Sequence, residues 1–352
     1  MPVRYDHSLE SPQPDEAETI AELTQALRRI SETTFEDHGH AVRSVHAKSH
    51  GLLKGELRVL DHLPPTLAQG LFARPATYKV VLRFSTNPGD VLDDSVSTPR
   101  GLALKVLEVA GARLSGSEAE ASQDFVMANA PAFAAPDPRT FAKSLKLLAA
   151  TTDKAQGLKK VVSATLRGAE KVVETFGGDS ALLKNMGGQP NTHILGETFW
   201  TQVPLRYGDH VAKLSIAPVS PALTALTGSK IDTNGHPNAL REAVNAFFRE
   251  QGGEWELRVQ LLTNPETMPI EDSSVPWPEA ESPYVAVARI SLPPQSGWDE
   301  ERAREIDDGL SFSPWHGIEA HRPLGGIMRA RRPTYEDSVR FRASHNGCPV
   351  QG

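Results

Sequence analysis

The sequence of 352 residues contains a single cysteine, Cys348, four residues from its end. This excludes an internal disulfide framework and a multi-cysteine metal centre, so we expect a reducing, cytoplasmic setting. No stretch approaches the roughly 20 apolar residues that cross a bilayer, and the polar N-terminus lacks the apolar segment of a secretory signal. We therefore expect a protein without a membrane span.

Basic residues are outnumbered by acidic ones, 37 to 44, which gives a formal net charge of -7. A negative chain disfavours a general phosphate-binding surface, so nucleic acid is not expected as a partner. The glycine-rich patterns GxGxxG and GxxxxGK[ST] are missing, and so is GxSxG. The sequence therefore predicts neither a nucleotide site nor a serine hydrolase.

Hydrophobic periodicity predicts both helices and strands. Helices are predicted at Glu16 to Phe35, Ala142 to Ala150, Leu158 to Phe176, Ala239 to Arg249 and Ile327 to Arg342. Strands are predicted at Gly51 to Leu60, Thr77 to Ser85, Arg100 to Val109, Asp124 to Ala128, Phe199 to Arg206, His210 to Ile216, Trp255 to Leu262 and Tyr284 to Ile290. Many short strands without regular helix alternation favour an α+β fold built on a closed antiparallel barrel. Pro333 predicts a kink or an end in the last helix.

Arg331 and Tyr335 stand one helical turn apart near the C-terminus. A phenol has a pKa of about 10, so ionising it at pH 7 costs about 4 kcal/mol. Ferric iron and a guanidinium beside the oxygen can offset that cost. Far upstream, the stretch Arg43-Ser44-Val45-His46-Ala47-Lys48 offers an imidazole. Together the two stretches predict a haem held between Tyr335 and His46.

Five stretches occur in an order that resembles the haem catalase superfamily, in a short version comparable to the catalase-related peroxidases. They are residues 43–48, Arg83-Phe84-Ser85-Thr86, the run from Thr98 to Lys105, Gly196-Glu197-Thr198-Phe199-Trp200 with Pro204, and the run from Arg331 to Tyr335. The match covers about residues 30–346. The resemblance implies an eight-stranded antiparallel barrel with inserted and flanking helices. It divides the chain into an N-terminal helical arm, 1–35, and a haem-binding barrel domain, 36–352, that ends in a proximal helix.

The resemblance also implies the two faces of the haem site. His46 matches the distal acid and base, which moves a proton between the oxygens of a peroxide. Ser85 matches the serine that orients this histidine. Tyr335 matches the axial ligand of the haem iron, supported by Arg331.

Three arginines and one aromatic residue match the remaining contacts of the haem. Arg43, Arg83 and Arg342 match side chains that pair with the two propionates, a task that suits guanidinium groups. Phe141 matches an aromatic residue that stacks on the porphyrin. Arg83 and Ser85 lie two positions apart in one predicted strand, so they are expected on the same face.

Two departures from the superfamily bear on activity. The asparagine that helps to position peroxide falls on Ala128, and Asn129 stands one residue later. Because a shift of one residue reverses the side-chain direction in a strand, Asn129 is not expected to replace this asparagine unless the strand bulges.

The second departure is in length. The chain stops soon after Asn346, before the helical region of larger relatives, so we expect an oligomer smaller than their intertwined tetramers.

These residues predict a haem b peroxidase that reduces hydrogen peroxide or organic hydroperoxides through a ferryl intermediate, with a small organic electron donor and weak catalase activity. Three alternatives are a true catalase, an enzyme that converts fatty-acid hydroperoxides, and a non-catalytic barrel that binds haem or lipid. A further alternative is a non-haem metal site. It would be built from His38, His40, His46 and His50 with Glu36 or Asp37.

Overall fold

Eight antiparallel strands close into a barrel in the computed structural model, which describes residues 1–149, 190–347 and 350–352. The described residues form nine strands, eight of which belong to the barrel: β1 (Ser49–Val59), β2 (Thr77–Thr86), β3 (Arg100–Val106), β4 (Gln123–Ala128), β5 (Phe199–Trp200), β6 (Leu205–Tyr207), β7 (His210–Pro218), β8 (Gly253–Leu261) and β9 (Val285–Leu292). Their order is β5-β4-β3-β2-β1-β9-β8-β7, and pairing of β5 with β7 closes the ring. Strand β6 forms a hairpin with β7 outside it. The predicted α+β fold with an eight-stranded barrel is confirmed.

The barrel interior is filled by apolar side chains that alternate along the strands. Phe84 of β2, Leu102 and Leu104 of β3, and Phe125 and Met127 of β4 belong to this core. The period of two along a strand sends the intervening residues to the outside of the barrel. The outward-facing residues of β2 to β4 include charged and small side chains. This outer face of the barrel, called the outer wall below, therefore differs in chemistry from the core.

In the described ranges, four longer helices flank the barrel: α1 (Glu16–His38), α2 (Pro138–Ala149), α3 (Ala239–Glu250) and α4 (Gly326–Asn346). Short helical turns occur at Pro221–Thr224 and Glu300–Arg302, and a π-helix at Ala303–Asp308. Leu23, Leu27 and Ile30 of α1 pack with Leu145 of α2 and Ala330 of α4. The three helices therefore form one apolar cluster. Of the helices in the described ranges, none is both long and apolar enough to span a membrane.

The segment that precedes α4 covers the outer side of β1 to β3. Ile306 and Phe312 pack with Leu52 of β1 and Val81 of β2, and Ala103 of β3 lies against the same cluster. The outward residues of this wall are therefore enclosed. A site on the wall is bounded by the barrel on one side and by residues 298–312 and α4 on others.

Most predicted elements occur with bounds a few residues different, and two differ in kind. The single strand predicted from Phe199 to Arg206 is instead β5 and β6, separated by a turn in which Gln202 has a φ of 63°. Helix α4 runs through Pro333 to Asn346, so the proline does not end the helix. The hydroxyl of Thr334 donates to the oxygen of Ala330 one turn earlier. The helix predicted from Leu158 to Phe176, and Cys348, lie outside the described residues.

Candidate functional site

A row of small side chains crosses the outer wall of the barrel. Ser85 of β2 pairs with Gly101 of β3, and Gly101 pairs with Ala128 of β4. Directly paired residues face the same side of a sheet, so these three share one outward row. The next row, Arg83 with Ala103 and Val126, faces the same way.

His46 lies directly on this row. Its Nδ1 is 3.0 Å from the Ser85 hydroxyl oxygen. A Cβ atom added to Gly101 would lie 2.4 Å from His46 Cε1 and 2.5 Å from Nδ1. Glycine is therefore required at position 101 because the imidazole occupies the space of a side chain. The predicted pairing of Ser85 with His46 is present in the structure.

The His46 imidazole is held neutral. Burial is the largest cause that lowers its pKa from 6.5 to about 3, followed by the positive charges of Arg83, Arg331 and Arg43. With Nδ1 occupied by Ser85, no hydrogen bond to Nε2 is present within the described part of the chain. The side chain therefore offers one neutral ring nitrogen that is available to a proton or a ligand.

Ala128, and not Asn129, stands beside this histidine. Strands β3 and β4 pair in continuous register from Gly101 opposite Ala128 to Val106 opposite Gln123. The Asn129 amide nitrogen donates to Glu197 Oε2 at 2.7 Å, and its oxygen accepts from the Arg100 backbone N–H at 2.9 Å. The expectation that Asn129 does not share the direction of Ala128 is confirmed. The wall beside His46 presents a methyl group there.

Arg43, Arg83 and Arg342 converge on Asp307 in the π-helix Ala303–Asp308. Arg83 Nε donates to Asp307 Oδ1 at 2.6 Å, and Arg43 Nη1 lies 3.2 Å from the same oxygen. The Asp307 backbone oxygen accepts from Arg43 Nη1 at 2.9 Å and from Arg342 Nη1 at 2.7 Å. Three side chains from distant parts of the sequence thus form one cationic cluster at the edge of the wall.

Burial and mutual repulsion destabilise the charges of this cluster, since they lower the pKa of Arg43 well below its ordinary value and that of Arg342 to about 10. Burial would raise the pKa of Asp307, but the charges of Arg83 and Arg43 hold it below its ordinary value. One carboxylate therefore faces three guanidinium groups. Arg342 is only 2% exposed, and its buried Nε has no hydrogen-bond partner among the described residues. Buried donors are normally satisfied, so the cluster has spare capacity for a further acceptor.

Helix α4 turns one stripe of side chains towards His46 and the arginine cluster. Arg331, Tyr335, Ser338 and Arg342 recur at intervals of four, three and four residues, which places them on one helix face. The Ser338 hydroxyl accepts from the Ser44 backbone N–H at 3.4 Å. Arg342 reaches Asp307, and the charge of Arg331 acts on His46. Tyr335, half-buried between them, therefore faces the same space.

Arg331 does not make the contact with Tyr335 that its spacing suggests. Its Nη1 lies 3.8 Å from Met328 Sδ, and its guanidinium carbon lies 5.5 Å from the centroid of the Phe133 ring. A cation over an aromatic face is attracted to the ring, which gives the guanidinium a competing partner. In the described parts of the chain, the Tyr335 phenol has no hydrogen-bond partner.

Phe141 lies on the same side of the site as Arg331. Its ring packs edge-on against Phe133 with centroids 5.0 Å apart, and both rings border Ile327 and Met328 at the start of α4. The position of Phe141 is therefore near the Tyr335 helix, and its predicted stacking on a porphyrin stays a prediction.

Sequence reasoning missed three residues that shape the site: Asp307, Gly101 and Phe133. The run Glu305 to Asp308 resembles an exposed acidic surface, and only the convergence of three arginines signals that a buried counter-charge is needed. Gly101 lies within the run from Thr98 to Lys105 that resembles the catalases, but its contact with His46 depends on strand pairing. Phe133 shows no pattern that separates it from an ordinary core residue.

The alternative metal site is not assembled. His38 lies 3.2 Å from Asp90, His40 lies 2.9 Å from Asp308, and His50 Nε2 lies 3.1 Å from the Thr86 hydroxyl. In residues 1–149, 190–347 and 350–352, no group of three His, Cys, Asp or Glu side chains could hold a metal ion. The four histidines therefore serve separate contacts.

Comparison with solved structures identifies the fold as that of the catalases. A fungal catalase shares 18% identity and a TM-score of 0.62, over 90% of this chain and 62% of its own. Catalase A from Saccharomyces cerevisiae is 17% identical with a TM-score of 0.61, and the match covers 97% of this chain and 67% of catalase A. A bacterial catalase is 17% identical with a TM-score of 0.60, and the match covers 99% of this chain and 65% of the bacterial protein. The chain thus spans about two thirds of the length of these catalases. Its sequence matches no protein-family model and no curated protein.

Proposed function

We propose that this protein is a haem b peroxidase that reduces hydrogen peroxide or organic hydroperoxides at the expense of a small organic electron donor. The observation that carries the proposal is the neutral His46 imidazole, bonded through Nδ1 to Ser85 with Nε2 directed away from that bond. Tyr335 lies on the same stripe of α4 as Arg331, whose charge acts on His46. A barrel that only carried haem would have no need of such a base. The catalase fold of the chain supports the proposal.

The residues of this site fit a haem. The cluster of Arg43, Arg83 and Arg342 surrounds the carboxylate of Asp307 with three positive charges, and within the described residues the buried Arg342 Nε lacks an acceptor. Two propionates would supply the missing negative charge and acceptors. Tyr335 would provide an oxygen ligand for the iron, and Phe141 an aromatic surface nearby. Bound there, a haem would supply the redox-active iron.

His46 moves the proton that peroxide cleavage requires. With the Nδ1 proton directed to the Ser85 oxygen, the lone pair of Nε2 accepts a proton from one peroxide oxygen and returns it to the departing oxygen. The His46 pKa of about 3 keeps the imidazole unprotonated at neutral pH, so the lone pair of Nε2 is not already occupied by a proton. Ser85 thus orients the ring, and Gly101 allows it to lie close to the wall.

The methyl group of Ala128 favours peroxidase over catalase turnover. Dismutation needs a second peroxide molecule held in position as the reductant, and a polar side chain beside His46 would help to hold it. The Asn129 amide is instead bound to Glu197 and Arg100. An organic donor therefore completes the cycle more readily than a second peroxide does.

A true catalase is the second candidate, and the fold favours it, since the similar solved structures are catalases. Both candidates need haem, and they differ in the reductant. Purified protein from haem-supplied cells should show a strong absorption band near the blue edge of the visible range. It should oxidise an aromatic donor with peroxide faster than it releases oxygen without one. A protein without the band would overturn both candidates, and vigorous oxygen release without donor oxidation would favour the catalase.

A further inference from the structure

The backbone of His46 is held in an unusual conformation. Its φ is 54°, in the left-handed region that residues other than glycine seldom occupy. The His46 N–H donates to the Asn87 oxygen at 2.8 Å, and the next N–H, of Ala47, donates to the Pro88 oxygen at 2.9 Å. Such a conformation persists where its surroundings determine it strongly, and it is frequent at functional sites.

The carbonyl side of the same turn is held by Arg83. Its Nη2 donates to the His46 oxygen at 2.9 Å and to the Ala47 oxygen at 3.2 Å. Arg83 is 2% exposed, so water does not compete for these bonds. Another edge of the same planar guanidinium carries Nε, which donates to Asp307 Oδ1. One rigid group therefore connects Asp307 to the backbone of His46.

Asp307 is itself fixed from two directions. Its Oδ2 accepts from the Ser49 hydroxyl at 2.5 Å, and the Ser49 oxygen accepts from Trp298 Nε1 at 2.9 Å. Its backbone lies in the π-helix, a rare element that occurs frequently at functional sites. The neighbouring Asp308 faces outward, where it pairs with His40 at 2.9 Å. Two adjacent carboxylates thus have different surroundings, and only Asp307 contacts Arg83.

We infer that Asp307 is a positioning residue for His46 and acts through the guanidinium of Arg83. Asp307 holds the guanidinium of Arg83 in the orientation in which it binds the carbonyl oxygens of His46 and Ala47. The strained turn in return holds the imidazole against Ser85 and Gly101. The consequence for turnover rests on the proposed function, but the consequence for the His46 turn does not.

Hydrogen exchange of the backbone tests this inference. In Asp307→Asn, the amides of residues 44–48 should exchange about tenfold faster than in the wild type, because Arg83 loses its charged anchor. Asp308→Asn is the matched control and should leave that exchange unchanged. At equal haem content, Asp307→Asn should also lower kcat/KM for peroxide about tenfold, whereas Asp308→Asn should not.

Two further variants test whether the charge of Asp307 matters and keep the inference testable if Asp307→Asn does not fold. Asp307→Glu keeps the charge and should restore part of the exchange protection. Ser49→Ala keeps the carboxylate but removes one of its anchors, and it should give a smaller acceleration that can be measured if Asp307→Asn does not fold. Unchanged exchange at residues 44–48 in folded Asp307→Asn, or in Ser49→Ala if only that variant folds, would overturn the inference. A protein that binds no haem would instead overturn the proposed function, while the exchange result still decides the role of Asp307.

Discussion

His46 Nδ1 lies 3.0 Å from Ser85 Oγ, and this bond joins a loop to the outer wall of the barrel. The two residues are 39 positions apart in the chain. Ser85 is fixed by the pairing of β2 with β3, so the bond transmits the rigidity of the sheet to the imidazole. A ring held in this way keeps one tautomer and one direction, which a general acid and base requires.

Replacing Ser85 with alanine should separate orientation from haem binding. We expect Ser85→Ala to keep the haem content of the wild type and to lower the rate of peroxide consumption about tenfold, since the imidazole loses its partner. The rate should be measured per haem. Ser274→Ala, on an exposed loop, is the control and should behave as the wild type. An unchanged rate in Ser85→Ala would show that other contacts orient His46.

Gly101→Ala should displace the imidazole. The added methyl group would lie 2.4 Å from His46 Cε1, far inside van der Waals contact. We expect the free energy of unfolding to fall by about 1–3 kcal/mol through overpacking. Peroxide turnover per haem should fall as well. Urea denaturation and stopped-flow kinetics on the same preparation check both effects, and a fully active variant would mean that the His46 ring lies elsewhere.

Ala128→Asn tests the assignment of the reductant. An amide in the Ser85 row should help to hold a second peroxide beside His46, and we expect the ratio of oxygen release to donor oxidation to rise roughly tenfold. Val126→Asn, one row further along the same face, is the matched control. Equal ratios in the two variants would remove the argument that Ala128 limits dismutation.

The low pKa of His46 predicts a pH dependence of stability. The folded-state pKa is about 3 and the unfolded value is 6.5, so between these values only the unfolded state binds the proton. Stability should therefore fall as the pH falls below 6.5. His46 should account for about 2 kcal/mol of that loss between pH 7 and pH 5.

The contribution of His46 is measured by difference, because burial also lowers the pKa of His193 and His321 to about 4. Urea unfolding of wild type and His46→Gln at both pH values gives the two losses. The variant should lose less stability than the wild type. Equal losses would show that His46 titrates normally in the folded protein.

Tyr335→Phe should remove the axial oxygen while leaving the fold in place. We expect haem affinity to fall at least tenfold and the absorption spectrum of any bound haem to change, since the ligand field of the iron depends on this oxygen. Tyr78→Phe, on β2, is the control and should keep the wild-type spectrum. An identical spectrum in Tyr335→Phe would exclude Tyr335 as the ligand.

The site was predicted unevenly from the sequence. Strand periodicity was sufficient to place Arg83 and Ser85 on one face, and the structure bears this out. The spacing of Arg331 and Tyr335 correctly placed both on one helical stripe. It did not reveal that Phe133, almost 200 residues earlier, would offer Arg331 a competing surface. Pro333 was expected to kink or end the helix, but α4 continues through it, and its packing against α1 and α2 compensates for the one hydrogen bond that proline removes.

Local pattern alone determined most of the strands, which side of β2 carries Arg83 and Ser85, and that Asn129 turns away from Ala128. These follow from a period of two that each strand carries in its own residues. Only the tertiary structure decided that Gly101 lies under His46 and that Asp307 joins three arginines. Those contacts depend on strand register and on how residues 298–312 pack across the wall, which are set by the whole core rather than by any local spacing.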